Sequence, residues 1–261
     1  MGPADFACAW RQSQTMRERA HRPWPVPSGP WIMGQTWERL LFAHWRVDEA
    51  WLRRFVPPQI PIDTFAGSAW IAVTPFVVGG LRLRLLPPLP GTARFPEVNV
   101  RTYATIEGRP GIYFFSLDVP RIAAVATARC VYRLPYFRST IEVDHNAGRV
   151  NYQSRRVDPV GRPAQCELEY EPTGPATRAL AGSFEYWAAE RYCLYTLDAR
   201  MRFLRGEIHH PPWQLQPAQA TIASNSMGRQ VGVDLHEPPI THYAHRQDVV
   251  FWPNAPVRFK G

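Results

Sequence analysis

The chain has 261 residues, of which 45% are hydrophobic and 13% aromatic, so it can bury a sizeable core and extensive disorder is excluded. Its 30 lysine and arginine residues exceed its 22 acidic ones, giving a formal net charge of +8, and Lys260 is the only lysine. Because the arginines are spread among acidic residues from Arg11 to Arg258 and form no basic tract, we expect no nucleic-acid partner.

The sequence lacks the features of membrane-spanning, secreted and disulfide-bonded proteins. No apolar run approaches the roughly 18 uncharged residues of a membrane-spanning helix. The first 30 residues also lack the compact apolar stretch of a signal peptide. The four cysteines, at positions 8, 130, 166 and 193, have no C-x-x-C spacing, which argues against a zinc ribbon or a disulfide scaffold. We therefore expect a cytoplasmic protein with no membrane partner.

The N-terminal third is predicted to begin with an arm and continue into a domain. Residues 1–30 are polar and then proline-rich, which predicts a flexible arm, and residues 31–261 contain no linker and are expected to form a single domain. In TWERLLFAHWRV, apolar side chains alternate from Trp37 to Val47 with only Arg39 interrupting, which predicts a strand. Asp48 then caps a short predicted helix, DEAWLRRFV.

Hairpins dominate the rest of the chain. Turns are predicted at residues 66–68, 79–80, 107–111 and 146–148, between segments with the alternation of strands. Apolar residues recur at helical spacing in PRIAAVATARCVY and in residues 178–190, which predicts two helices. Further strands are predicted in RYCLYTL, RFLRGEIH, ATIAS and RQDVVFW. Roughly ten strands with two or three short helices predict a mainly β (α+β) fold, as a twisted sheet or an antiparallel barrel.

One strand carries a row of polar side chains. Glu97, Asn99, Arg101 and Tyr103 occupy alternate positions and therefore share one face. The following strand, residues 112–118, is rich in aromatic residues, so this hairpin is expected to be central and its polar row to line an interior cavity. The alternative is a solvent-facing row on a half-exposed sheet, and alternation alone favours this alternative.

Histidines offer a pocket residue but no metal site. His44 shares a predicted strand face with Leu40 and Phe42, which makes it a candidate for the pocket. The other candidates lie in the last fifth of the chain, where His209 and His210 are adjacent and should point to opposite faces of a strand. We therefore expect no bound metal and no cofactor.

Several segments together resemble a known family. The segments that carry the resemblance are WERLLFAHW, IDTFAGSAWIAVTPF, PEVNVRTY, GIYFFSLD and GEIHHPPWQLQPA. They are similar to the uncharacterised YqjF-like family of the acetoacetate decarboxylase-like superfamily, and the likeness extends over residues 35–255. The resemblance implies a mainly antiparallel, cone-shaped β-barrel with a site inside it.

The resemblance also implies a departure from the chemistry of the decarboxylases. Their lysine follows a proline and forms a Schiff base with a β-keto acid. In ATARCVYRLPY, residues 126–136, Arg129 matches the arginine of their motif and Pro135 the proline, while Cys130 replaces a glutamate and Tyr136 replaces the lysine. A phenol cannot form an iminium, so an enzyme built on this sequence would not be a Schiff-base decarboxylase.

The predicted function is binding of a small organic acid or keto compound, of anionic character, inside the barrel. Arg101 and Arg129 are expected to hold the anion because guanidinium groups bind carboxylates bidentately. Further binding residues are Asn99, Tyr103 and His44. If a reaction is catalysed, Glu97, which is similar to an active-site carboxylate of the superfamily, would act as base and Tyr136 as acid. The alternative is a non-catalytic ligand-sensing or scaffold protein, and assembly into a homo-oligomer is compatible with either.

Overall fold

The computed structural model describes residues 3–87, 94–120, 133–198 and 200–257, with the side chains of α1 described from residue 7 onward. Three α-helices and two 3-10 helices are found there: α1 (Pro3–Gln14), α2 (Glu49–Leu52), α3 (Phe184–Ala189), and 3-10 helices at Thr15–Arg17 and Met227–Val231. The strands are β1 (Met33–Val47), β2 (Ala69–Leu83), β3 (Arg94–Ile106), β4 (Arg109–Val119), β5 (Tyr136–Asn146), β6 (Arg149–Arg156), β7 (Gln165–Pro172), β8 (Thr177–Arg178), β9 (Cys193–Leu197), β10 (Phe203–His209), β11 (Gln214–Asn225), β12 (Ile240–Phe251) and β13 (Ala255–Pro256).

The prediction of a mainly β chain is confirmed. Strand neighbours follow the order β12-β1-β2-β3-β4-β5-β6-β7-β11, and β11 pairs in turn with β12. All of these pairs are antiparallel except β4 with β5. The short strand β9 lies parallel to β4 and antiparallel to β10, which reaches β12. Among the described helices, none is long and apolar enough to cross a membrane.

Two of the three predicted helices differ from the structure in length. Asp48 caps α2 as expected, because its Oδ1 accepts a hydrogen bond from the Trp51 backbone nitrogen at 2.7 Å, but α2 ends at Leu52. The helix predicted over residues 178–190 begins only at Phe184, since residues 177–178 pair with β11. The apolar helix predicted in PRIAAVATARCVY lies outside the described residues.

A bulge in β1 changes which side chains share a face. Arg39 has φ of 52°, and the register of β1 against β2 shifts by one residue between Glu38 and Ala43. Trp37 therefore packs with Leu40 and Phe42 in one core cluster, while Leu41, Ala43 and Trp45 belong to another. The inserted residue thus removes Trp37 from the face that it was expected to share with Leu41, Ala43 and Trp45.

The residues Gly79 and Gly80, expected in a turn, instead lie inside β2. Gly80 has φ of +57° and forms a bulge opposite β1. This bulge lies against α1: a Cβ at Gly80 would be 2.2 Å from Cys8 Sγ. Helix α1 is further held by Gln12, whose Nε2 donates to the Gly80 carbonyl at 3.0 Å and whose Oε1 accepts from Arg82 at 2.7 Å.

A buried carboxylate fixes the segment after α1 to the sheet. Glu207 on β10 accepts hydrogen bonds from Arg22 and from the Trp24 indole, each at 2.9 Å, and from Arg109 at 3.0 Å. Arg22 and Glu207 are both buried, so removing Glu207 leaves the charge of Arg22 without its carboxylate partner.

Replacing Glu207 by alanine is expected to lower the free energy of unfolding by about 3–5 kcal/mol, because the Arg22 guanidinium stays buried without its counter-charge. Chemical denaturation measures this directly. Glu169→Ala is the matched control, since Glu169 pairs with the exposed Arg149 and its loss should leave stability nearly unchanged. Equal effects of the two substitutions would contradict the assignment of Glu207 as a buried anchor.

Candidate functional site

A cavity lies against one face of β3, between that strand and β1, β2 and β4. Its volume is about 140 Å³. The wall is mostly apolar and includes Trp37, Leu40, Phe76, Phe95, Phe114 and Leu117. Its polar lining residues are Gln35, Thr74, Glu97, Asn99, Arg101 and Tyr136.

The alternation of β3 brings three of the predicted site residues into this cavity. Glu97, Asn99 and Arg101 face it, whereas Val98 and Val100 lie in the large core cluster on the other side of the strand. A register shift between Val100 and Arg101 places the extra residue on β4, so the alternation of β3 is unbroken. All three polar side chains are buried, at 4–5% exposure, which excludes the solvent-facing alternative.

Glu97 and Tyr136 meet across the cavity. The Tyr136 hydroxyl donates to Glu97 Oε2 at 3.3 Å, and the Asn99 side chain also hydrogen-bonds the carboxyl group. Burial outweighs both bonds and raises the pKa of Glu97 from 4.5 to about 8. Asp118 adds to the increase in the pKa of Glu97 from behind the strand, where it pairs with Arg156 at 2.7 Å. At neutral pH the Glu97 carboxyl is therefore mostly protonated.

Arg101 is a buried cation without a carboxylate partner. Among the described side chains, no Asp or Glu lies within salt-bridge distance of the Arg101 guanidinium. Burial lowers the pKa of this guanidinium. Its guanidinium lies 5.1 Å from the centre of the Phe42 ring and hydrogen-bonds the Tyr103 hydroxyl. A guanidinium keeps its charge even when buried, so an anion would stabilise this position.

Three polar atoms that belong to cavity residues have no hydrogen-bond partner among the described residues. They are Thr74 Oγ1, Asn99 Oδ1 and Arg101 Nε, and each side chain is at least nine-tenths buried. Buried polar atoms are nearly always hydrogen-bonded, and leaving one unpaired costs about 1–3 kcal/mol. A polar ligand group that reached one of these atoms would remove that cost.

Tyr103 and His44 lie behind Arg101 and do not line the cavity. The Tyr103 hydroxyl is 2.6 Å from His44 Nε2, and both residues are buried. Burial, with the nearby charge of Arg101, lowers the pKa of His44 well below its usual value, so the ring is neutral. Both residues were predicted to contact a ligand, but this geometry suits them to holding Arg101 in place.

One predicted site residue is not among those described, and two residues that line the cavity were not predicted. Arg129 lies outside the described residues. Gln35 and Thr74 line the cavity but were not singled out. The available signal for Thr74 was a lone hydroxyl in the otherwise apolar AWIAVTPFVV, whereas nothing in the sequence indicated Gln35.

His209 and His210 form hydrogen bonds with backbone carbonyl groups. His209 Nε2 is 2.8 Å from the Thr15 carbonyl oxygen, and His210 Nε2 is 3.2 Å from that of Arg191. Burial lowers the pKa of both to about 4. Within the described parts of the chain, no three His, Cys, Asp or Glu residues come together in a way that could hold a metal ion.

Solved structures of low sequence identity share the fold. The enduracididine biosynthesis enzyme MppR, complexed with the condensation product of pyruvate and imidazole 4-carboxaldehyde, matches with a TM-score of 0.62 and 15% identity, covering 87% of this chain and 90% of that one. Acetoacetate decarboxylase from Legionella pneumophila matches with a TM-score of 0.60 and 10% identity, over 92% and 93% of the two chains. The chain thus has the acetoacetate decarboxylase-like fold.

Similarity in sequence identifies the family to which the chain belongs. The model of the DUF2071 family, described as an uncharacterized conserved protein, matches residues 34–248. The uncharacterized protein YqjF of Bacillus subtilis (strain 168) is 45% identical over 229 residues, which cover 87% of this chain and 93% of that protein. The chain belongs to the DUF2071 family, and the resemblance to YqjF-like proteins is confirmed.

Proposed function

We propose that this protein binds a small organic acid or keto compound in the cavity beside β3, with Arg101 holding the anionic group. The observation that carries the proposal is the buried Arg101 guanidinium, which faces the cavity without a carboxylate partner among the described side chains. Burying an unpaired charge is costly, and a protein retains one chiefly where a ligand supplies the counter-charge.

The proposed architecture is a mainly antiparallel closed barrel formed by residues 31–261 as one domain. Closure around the cavity is supported by the ring β1-β2-β3-β4-β9-β10-β12, in which β4 pairs with β9, β9 with β10, β10 with β12 and β12 with β1. This ring presents the face of β3 that carries Glu97 and Arg101 to an interior protected from water, since Leu194 of β9 and Ile208 of β10 also line the cavity. A protected interior strengthens every electrostatic contact that the ligand makes.

Cavity size limits the ligand. An apolar cavity of about 150 Å³ holds a molecule as large as benzene, and the volume here is about 140 Å³. A ligand of about six or seven non-hydrogen atoms therefore fits. Small monocarboxylates are in this range, whereas nucleotides and sugars are not.

Acid/base catalysis is the activity that the cavity supports best. A proton-transfer group works most efficiently when its pKa is near the working pH, and the pKa of Glu97 is about 8. Glu97 would exchange a proton with a ligand carbon or oxygen, and Tyr136, at 3.3 Å from it, would supply a second proton donor. Enolisation, hydration and dehydration are reactions of this type, and none of them needs a lysine.

Calorimetric titration with sodium pyruvate, lactate and acetate tests the proposal, with sodium chloride as a control for ionic strength. Saturable binding of at least one carboxylate is expected for the wild type, with a large loss in Arg101→Met. The proposal fails if none of these anions binds at millimolar concentration. A non-catalytic, ligand-sensing role would be indicated by binding without any proton exchange at the ligand carbons in deuterated water.

The Tyr136→Phe substitution is expected to raise the pKa of Glu97 further, because the phenol hydrogen bond stabilises the ionised carboxylate. The pKa is read from the carboxyl carbon resonance in an NMR pH titration. Tyr152→Phe is the control, since the Tyr152 hydroxyl is buried in the core cluster behind β3 and has no hydrogen-bond partner among the described residues. An unchanged or lower pKa of Glu97 in Tyr136→Phe would contradict the contact.

A further inference from the structure

The cavity residues differ in the kind of hydrogen bond that they leave unmade. Asn99 uses its side chain to hydrogen-bond Glu97 in a way that favours the ionised carboxylate, so the amide nitrogen is the donor and the carbonyl oxygen Oδ1 remains. This oxygen can only accept. Arg101 Nε, in contrast, can only donate. A ligand that satisfies both must therefore carry an acceptor and a separate donor.

The charges inside the cavity determine whether the hydrogen-bond donor of the ligand is charged or neutral. Among the described residues that line the cavity, Arg101 carries the one fixed positive charge, and the Glu97 carboxyl is mostly protonated at neutral pH. An anionic ligand with a neutral donor brings the buried charges to zero. An ammonium donor, as in an amino acid, would leave the positive charge of Arg101 uncompensated unless Glu97 ionised in its buried position. A hydroxyl group avoids this cost.

Spacing along the strand agrees with a compact ligand. Alternate residues of a strand are roughly 6.6 Å apart, and each hydrogen bond takes up about 2.9 Å. Asn99 and Arg101 are such a pair on β3. A carboxylate at Arg101 and a hydroxyl on the next or second carbon can reach Asn99 Oδ1 within this distance.

We propose that the natural ligand class is the small hydroxy acids, with the carboxylate at Arg101 and the hydroxyl donating to Asn99 Oδ1. The inference rests on the proposed function, since it needs the same cavity to bind an organic acid. It goes further by assigning Asn99 as the residue that distinguishes a hydroxyl from a keto group, which offers no donor.

Matched pairs of ligands test this preference: lactate against pyruvate, and 2-hydroxybutyrate against 2-oxobutyrate, each titrated into the full chain by calorimetry. The hydroxy acid of each pair is expected to bind at least tenfold more tightly, because the keto acid leaves a buried acceptor unpaired. Equal or tighter binding of the keto acids would overturn the assignment while leaving the proposed function standing. Failure of all four ligands to bind would overturn both.

The Asn99→Leu substitution gives a second, independent measurement. Leucine matches the branched shape of asparagine but has no acceptor, so the preference for hydroxy acids should disappear. Asn151→Leu is the matched control, because Asn151 is half-buried on β6 outside the cavity. If Asn99→Leu retains the full preference, the hydroxyl is not recognised by Asn99 and the assignment is wrong. The wild-type comparison remains decisive if this variant does not fold.

Discussion

Replacing Arg101 by methionine is expected to remove binding of small carboxylates and, in the same variant, to make the fold more stable. Arg101 is buried, contacts the Phe42 ring and has no carboxylate partner among the described side chains. Its charge therefore costs free energy in the ligand-free fold, and an apolar side chain of similar length relieves that cost by about 1–3 kcal/mol. Binding should weaken by about a hundredfold or more, since the counter-charge of the ligand is lost.

The opposite sign of the two effects makes this test specific, and Arg156→Met is its control. Arg156 is equally buried but pairs with Asp118 through two nitrogen atoms, at 2.7 and 2.8 Å. Its replacement should lower the free energy of unfolding by about 3–5 kcal/mol, because Asp118 is left unpaired. Thermal or chemical denaturation of both variants, with calorimetric titration of Arg101→Met, provides the measurements. A loss of stability in Arg101→Met comparable to that in Arg156→Met would mean that Arg101 has an unrecognised counter-charge.

The second large effect is on the pH dependence of stability, through Glu97. Its pKa is about 8 in the fold and near 4.5 in an unfolded chain. Between these values the folded protein binds one more proton than the unfolded chain, so the contribution of this group to the free energy of unfolding is fully present below about pH 4.5 and is lost as the pH rises through 8. In Glu97→Gln this dependence disappears. The variant should become more stable than the wild type as the pH increases, by several kcal/mol at about pH 9.

Denaturant titrations of both proteins between about pH 5 and pH 9 measure this difference. Glu142→Gln is the matched control, because Glu142 is exposed on β5 and its charge should not couple to folding. A constant difference between Glu97→Gln and the wild type across the range would show that Glu97 is ionised in the fold. In that case its role as a protonated acid at neutral pH would be excluded.

The part of the site that depends on a single strand could be predicted from the sequence. The period of two in β3 was enough to place Glu97, Asn99 and Arg101 on one face of the strand. Likewise, the turn over residues 146–148 was predicted correctly, because Ala147 and Gly148 take the positive φ angles that a tight hairpin needs.

The parts that depend on bulges or on distant pairing could not be predicted. One inserted residue at Arg39 moves Trp37 to the same side as Leu40, and no local pattern reveals where a strand takes up an extra residue. The position of His44 behind Arg101 depends on the pairing of β1 with β2 and of β2 with β3. Such long-range register is set by the whole sheet, so the sequence predicted His44 as a pocket residue and did not indicate its separation from the cavity.

The bulge at Gly80 has a consequence for relatives of this protein. Any side chain there would need the strained backbone that β-carbon-bearing residues avoid, and its first carbon would collide with Cys8 of the N-terminal helix. That helix precedes the region matched by the family model, which starts at residue 34. We therefore expect a residue other than glycine at this position only in homologous sequences whose N-terminal segment places no side chain such as that of Cys8 against the bulge.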